Sequence, residues 1–293
     1  MTVASVPPLV FSLVETSGAR LAVFEEGATR DTVLLLHGGP GVPDYLADVS
    51  AILATKHRVI RFDQRGTGRS PCDSGRYSLD DYVSDVEAVR RAHGLERLNL
   101  FGHSWGGMVA QLYAARHPDR VAKLCLCNSS VGLGSDWRAM ERAVMAYNRR
   151  RSGLAGFMVL GLDQMLALLP GSAGDRAARR MMARVWHNYF DPPKSAPAPS
   201  EEWLAGVHSR PIFATRQAAL AANANDLSGL ATIPVLVIFG ENDIYGRTTE
   251  RLIARYPDAR VIFIPRAGHV PWLQNRAAFV EAIGTFFDTE EAA

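Results

Sequence analysis

Gly102-His103-Ser104-Trp105-Gly106 sets a hydroxyl between two glycines, where an apolar run gives way to helical periodicity. A serine on a sharp strand-to-helix turn is lifted into a cleft, as a G-x-S-x-G nucleophile requires. Side chains two residues either side would collide with neighbouring backbone, so glycine fits there. The helix that follows aims its N-terminus at the site, which favours a developing anion. The same pattern also describes a Gly-rich turn with an idle serine. A serine hydroxyl is a weak nucleophile and needs a base, and the base needs an acid to orient it. His269 stands in Arg266-Ala267-Gly268-His269-Val270-Pro271, after the last predicted strand, and Asp243 in Gly240-Glu241-Asn242-Asp243, after the preceding one. Both should emerge at the strand ends where open α/β sheets place ligands. Glu241 is the competing acid. Asp243 is preferred, because its greater distance from the strand end gives it room to reach across to His269.

His37-Gly38-Gly39-Pro40-Gly41 follows another predicted strand. Backbone N–H groups must approach a reacting oxygen closely, which glycines permit. The N–H groups of Gly39 and Trp105 are the expected oxyanion donors. A third marker, Asp63-Gln64-Arg65-Gly66-Thr67-Gly68-Arg69-Ser70, lacks the lysine of a P-loop and the G-x-G-x-x-G spacing. It reads as a turn supporting the site from beneath.

The elements that must carry these residues alternate. Strands are expected over 9–15, 20–25, 32–36, 57–62, 98–101, 121–127, 235–239 and 260–264, and helices over 79–91, 105–116, 248–256 and 271–287. Short β-rich runs alternating with helical periodicity specify a mostly parallel sheet flanked by helices. From residue 131 to 226 no convincing strand is found, and Ala, Met, Leu and Arg favour helix. The fold class is therefore α/β, with a core over 1–130 and 227–293 and an inserted helical cap over 131–226.

Composition narrows the function. Of 293 residues, 47% are hydrophobic and 21% charged, which is globular and excludes disordered or coiled-coil readings. Lys and Arg number 32 against 30 Asp and Glu, a net +2, too balanced to predict nucleic-acid or membrane binding from charge alone. Three cysteines are too few for a disulfide framework and fit a reducing compartment. Cys125 and Cys127, two apart in an apolar run, should pack on one face of a strand. The stretch 1–8 has no basic or long apolar region of a secretory leader, and no uninterrupted apolar run approaches the roughly 20 residues of a membrane span. The expectation is a soluble, cytoplasmic chain.

The order Ser…Asp…His is that of α/β-hydrolases. HGGPG, DQRGTGRS and GHSWGG together resemble the proline iminopeptidase branch of that superfamily, over 32–128 and 234–287. The resemblance implies Ser104 as nucleophile, Asp243 as orienting acid, His269 as base, and Gly39 and Trp105 as oxyanion donors. It implies two-step acyl transfer on a small molecule or short peptide, with no metal or organic cofactor. Serine at the nucleophile position argues against the epoxide hydrolases and haloalkane dehalogenases of this fold, which need a carboxylate there.

The cap departs from that branch, whose members hold the substrate's free α-amine with cap carboxylates and carry a Trp-Glu pair. The comparable stretch here, 184–191, lacks the pair, and the cap holds twelve Arg and Lys against eight Asp and Glu, a formal +4. Asp191, Glu201, Glu202 and Glu141 are the carboxylates left for an amine. Trp137, Trp186, Trp203, Tyr147 and Tyr189 are candidates to line an apolar pocket. His37, Trp137, Trp186 and Tyr189 are taken as substrate contacts. The expected activity is release of an N-terminal proline. The alternative is a carboxylesterase, lactonase or thioesterase acting on a small apolar ester. A non-hydrolytic lyase or a ligand receptor on the same fold is the third reading.

Overall fold

The computed structural model describes residues 9–27, 31–223, 227 and 233–288. The stretch 1–8, read above for a leader, and residue 226, the expected end of the cap, lie outside them. Strands β1 (Val10–Thr16), β2 (Ala19–Glu26), β3 (Thr32–Leu36), β4 (Arg58–Phe62), β5 (Leu98–His103), β6 (Val121–Cys127), β7 (Val235–Gly240) and β8 (Arg260–Ile264) form one sheet, ordered β1-β2-β4-β3-β5-β6-β7-β8. The pairs β1/β2 and β2/β4 are antiparallel, and the remaining five are parallel.

Helices cover both faces. Successive side chains of a strand point to opposite sides. Leu34 and Leu36 of β3 accordingly join the core with α2 (Leu79–Ala92) and α3 (Trp105–Arg116), while Val33 and Leu35 join that with α1 (Ala47–Leu53) and α10 (Arg276–Asp288). Such two-sided burial explains the unbroken apolar run at 32–36. Cys125 and Cys127 share the second face, unpaired and fully buried, and burial pushes both thiols up. At the start of α2, Ser78 accepts from the Asp81 N–H while Asp81 accepts from the Ser78 N–H, a reciprocal cap with the basic pair Arg90 and Arg91 at the other end.

Besides one-residue shifts at several other ends, three features differ from the sequence reading. Strand β5 runs on to His103, so Ser104 follows it directly. The helix expected over 271–287 is two, α9 (Pro271–Gln274) and α10. Asn275 divides them: its Oδ1 accepts from the Ala278 N–H at 3.3 Å and its Nδ2 donates to the Pro265 carbonyl at 3.0 Å. Helix α1 was not anticipated. At seven residues it is too short for a periodic signal, and the burial of Val49 and Leu53 holds it.

Between β6 and β7 run α4 (Ser135–Leu166), α5 (Gly171–Asn188), α6 (Glu201–Ala205) and α7 (Ser209–Ala221), with α8 (Thr249–Arg255) following β7. No strand occurs among the described residues of 131–226. Helix α4 is interrupted at Gly153, where φ is 65° and ψ 177°. These helices are tied to the sheet by the Tyr82–Thr215 hydroxyl contact (2.7 Å), by the Trp203 indole N–H to the Pro43 carbonyl (3.1 Å), and by the His208 N–H to the Gly41 carbonyl (2.9 Å). Among the described residues no helix is long and apolar enough to cross a membrane.

The turn over 63–70 is anchored by a buried ion pair. The Arg65 guanidinium, fully buried, donates to both Asp85 oxygens at 2.7 and 2.6 Å and to the Asp81 carbonyl at 3.0 Å. Asp85→Ala leaves that buried cation with only the Asp81 carboxylate, at 3.5 Å, and is expected to cost about 3 kcal/mol in urea denaturation. Glu250→Ala, which removes the exposed partner of Arg247 at 3.6 Å, should leave the midpoint where it is.

Candidate active site

Ser104, Asp243, His269 and the Gly39 loop stand beyond the carboxyl ends of parallel strands β5, β7, β8 and β3, while Trp137 belongs to α4, Trp186 to α5 and Tyr189 to the C-terminal end of α5. Ser104 opens α3 with φ 54° and ψ −121°, a conformation that L residues rarely adopt and that the neighbouring backbone must hold. A Cβ on Gly106 would lie 2.0 Å from the Leu36 carbonyl oxygen, and one on Gly102 2.6 Å from Gly107 Cα, so the flanking positions admit only glycine. The Ser104 N–H donates to the Cys127 carbonyl at 3.2 Å, and the Ser104 carbonyl accepts from Ser130 N–H at 2.9 Å. The turn is thus clamped between β3 and β6.

The expected base and acid converge on it. His269 Nε2 is 3.0 Å from Ser104 Oγ, and His269 Nδ1 is 2.7 Å from Asp243 Oδ2. Asp243 also accepts from the Asn128 side-chain amide and, at 2.8 Å, from the Tyr245 N–H. Ser104, Asp243 and His269 are all buried. Glu241, the rival acid, is exposed and accepts from the Arg266 N–H instead. The chain can therefore pass a proton from Ser104 to a histidine held in register by a fixed carboxylate.

The loop after β3 lies against the serine. A Cβ on Gly38 would sit 2.6 Å from Ser104 Cβ. Gly39 has φ 60°, and among the described residues its N–H has no hydrogen-bond partner. Trp105 occupies the first helical position, where the N–H points out of the helix. Both expected donors are thus unspent beside Ser104. The turn over 63–70 props this loop: Gln64 donates its N–H to His37 Nε2 (3.1 Å) and its side-chain amide to the His37 carbonyl (2.6 Å), and accepts from the Trp105 indole at 3.0 Å.

His37, expected to meet substrate, is committed to this scaffold, because its Nδ1 donates to the Gly38 carbonyl at 2.9 Å while Nε2 accepts from Gln64. Trp137 packs on the Trp105 ring at 5.9 Å with its N–H on Glu141. Trp186 packs behind Tyr189 and donates to the Pro197 carbonyl. Of the four, only Tyr189 reaches the centre: its ring lies 4.9 Å from that of His269, and its carbonyl accepts the His269 N–H at 2.7 Å.

Sequence reasoning missed four residues. The Tyr245 hydroxyl lies 3.0 Å from Ser104 Oγ and 3.2 Å from Ser130 Oγ, and burial pushes it well above the ordinary tyrosine range. Its place two residues beyond Asp243, on a loop bound for the site, was the available signal. Asn128 holds Asp243. Tyr45 and His103 form a directed chain. His103 Nε2–H donates to the His269 carbonyl at 2.7 Å, so Nδ1 accepts from the Tyr45 hydroxyl at 2.6 Å, which in turn accepts from the Gly38 N–H at 3.0 Å. One neutral imidazole thus links the oxyanion loop to the backbone of the base. Burial, reinforced by the neighbouring His269, holds His103 well below the usual histidine value. Among the described residues no group of three or more His, Cys, Asp or Glu is gathered as a metal site.

A cleft of about 470 Å³ opens beside this centre, between α4 and the Asp243 loop, lined by Tyr147, Arg150, Arg151, Asn242, Tyr245 and Arg247 among others.

The alpha/beta hydrolase fold family matches residues 31–275. A proline iminopeptidase of Lactobacillus delbrueckii subsp. bulgaricus is 35% identical over 280 residues, covering 91% of this chain and 92% of that protein. A 2-hydroxymuconate semialdehyde hydrolase of Pseudomonas sp. (strain CF600) is 28% identical over 287 residues, covering 94% and 93%. A hydrolase of known structure from Pseudomonas aeruginosa PA01 superposes with a TM-score of 0.73 at 24% identity, over 95% of this chain and 98% of that one. These relatives act on different bonds, so the likeness fixes the family and leaves the substrate open.

The neutral state of His103 has a consequence for stability. An unfolded histidine takes up a proton below about pH 6.5. Folded His103 does not, so stability present above that pH is lost as the pH falls below it, by about 1.4 kcal/mol per unit for one proton. In urea denaturation between about pH 5 and 6.5, His103→Gln should show a slope shallower by that amount. An unchanged slope would mean that His103 titrates normally in the fold.

Proposed function

The chain belongs to the α/β-hydrolase fold family and is an enzyme of it; from that premise we propose that it is a serine hydrolase of small esters or lactones, with α4–α7 as a cap over the site. Ser104 attacks the carbonyl carbon while His269 takes its proton. The Gly39 and Trp105 N–H groups hold the oxyanion. His269, oriented by Asp243, protonates the departing alkoxide, and water repeats the sequence on the acyl-enzyme. Tyr245 donates to Ser104 Oγ in the resting site and keeps the hydroxyl turned towards His269.

The observation that carries this reading is the Ser104–His269–Asp243 relay at 3.0 and 2.7 Å. The choice of an ester over a peptide amine rests on the carboxylates. An α-ammonium group needs a free acid nearby. Asp191 is taken by Arg151 (2.7 Å) and Asn242 (2.6 Å), and Glu141 by Arg216 and Trp137. Glu202 is exposed beside Arg69 at 3.5 Å, and Glu201 is exposed. In the cleft next to Tyr245 three arginines, Arg150, Arg151 and Arg247, outnumber two acids, Glu241 and Asp243, and Asp243 is held by His269. Proline iminopeptidase activity is the second reading, favoured by the HGGPG, DQRGTGRS and GHSWGG motifs and by the 35% identical relative.

Turnover of a short-chain nitrophenyl ester and of a prolyl anilide separates the two. Robust ester hydrolysis without anilide release is expected, and the reverse would establish the peptidase. A fluorophosphonate probe should label Ser104 in the folded protein, and Ser104→Ala should fold but lose activity by several orders of magnitude. An unlabelled Ser104 would end the serine-hydrolase reading. Tyr245→Phe removes one hydrogen bond and should lower kcat by about three- to tenfold with KM little changed.

A further inference from the structure

Beyond Gly153, α4 continues with apolar residues on both faces. Its inner face buries Leu160 and Asp163. Its outer face carries Leu154, Met158, Leu162, Met165 and Leu169, all between 47 and 70% exposed and spaced by four, four, three and four residues. That spacing places them in one stripe along the helix and its C-terminal extension. Leu168 widens the stripe at 64% exposure. A contiguous apolar surface of this kind marks a contact with something else.

The charges around the stripe say what. Seven arginines between Ser135 and Asn188 are exposed, and no Asp or Glu in that span is. Arg149 and Arg150 stand just before the break at Gly153. From α5, Arg180 and Arg184 reach Asp163 at 2.8 and 2.9 Å, which sets two half-exposed guanidinium groups beside Leu162. The stripe is thus rimmed by cations at its start and along one side. A second copy of the chain packed on this face would bring these arginines towards their own equivalents, with no exposed acid on α4 or α5 to meet them. An anionic lipid surface supplies both halves of the match, acyl chains for the leucines and methionines and phosphates for the arginines.

We propose that the outer face of α4, from Leu154 to Leu169, docks in the headgroup boundary of an anionic bilayer, lying in the plane of the surface. The contact is peripheral, since no helix among the described residues is able to span a membrane. The chain's net charge of +2 gives no hint of it, because acids elsewhere in the chain balance the arginines of α4 and α5. The inference is independent of the hydrolase chemistry.

Sedimentation of the full chain with lipid vesicles tests it. Vesicles of phosphatidylcholine with a third phosphatidylglycerol should carry down several-fold more protein than phosphatidylcholine alone at about 0.02 M salt, and the excess should shrink at about 0.5 M. The double substitution Met158→Glu and Met165→Glu, at positions 67 and 70% exposed, should abolish sedimentation while leaving the melting temperature and soluble-ester turnover unchanged. Two results would overturn the proposal. One is no enrichment on anionic vesicles. The other is a dimer by light scattering that the double substitution converts to monomer, which would assign the stripe to a second copy.

Discussion

The first turn of α3 approaches the carbonyls of Leu36 and His37 so closely that Gly106 has no room for a single side-chain carbon. The rest of the site depends on this contact. It presses the N-terminus of α3 against the end of β3, which brings the Trp105 N–H and the loop carrying Gly39 to the same side of Ser104. The same contact forces the serine into positive φ. The strain is carried by neighbours already fixed in the sheet, through the Cys127 carbonyl on one side and the Ser130 N–H on the other. A looser packing would relax the turn and let the hydroxyl drop out of line with His269.

Around that turn the hydrogen-bonding side chains are hydroxyls, imidazoles, an amide and the Asp243 carboxylate. Asp243 accepts from His269, Asn128 and Tyr245 together, so its charge faces donors in three directions. His103 is kept neutral by burial and passes a hydrogen bond from the oxyanion loop to the His269 carbonyl. The ion pairs near the site, such as Arg65 with Asp85, stand one layer further out and hold loops instead of reacting atoms. In the proposed mechanism, strong fields are thereby kept for the moment when charge develops on the substrate oxygen.

Much of this was legible in the chain. Sterically obligatory features leave a mark on residue type. The glycines of GHSWG and HGGPG, the apolar run at 32–36 and the order of serine, acid and histidine each report a local requirement. The preference for Asp243 over Glu241 followed from reach alone, and the structure sets Asp243 on His269 and Glu241 in solvent. Tyr45 and Asn128 were not legible, because their roles come from partners far away in sequence, and Tyr245 was marked only by its place two residues beyond Asp243. Tyr45 meets His103 across 58 residues, and Asn128 meets Asp243 across 115. Nothing in the sequence separates pocket lining from packing at Trp137 and Trp186. Aromatic side chains near a site look the same in sequence whether they face a ligand or, as here, fill the packing beneath it.

The arginine-rich insert joins the two faces of the argument. Its described acids are nearly all spent close at hand: Asp136 on Arg251 and Arg255, Glu141 on Arg216, Asp163 on Arg180 and Arg184, Asp175 on His208, and Asp191 on Arg151. Of the rest, Glu202 lies exposed beside Arg69 and Glu201 is exposed on α6, so the pairing within the insert supports the proposed acyl substrate over an amine. The same pairing leaves arginines on the outside, beside a stripe of leucine and methionine that is exposed among the described residues. A helix that needed only to close over a pocket would be polar on its outer side. That α4 is apolar there and cationic at its borders gives it a second surface to satisfy, one that the sheet below does not provide.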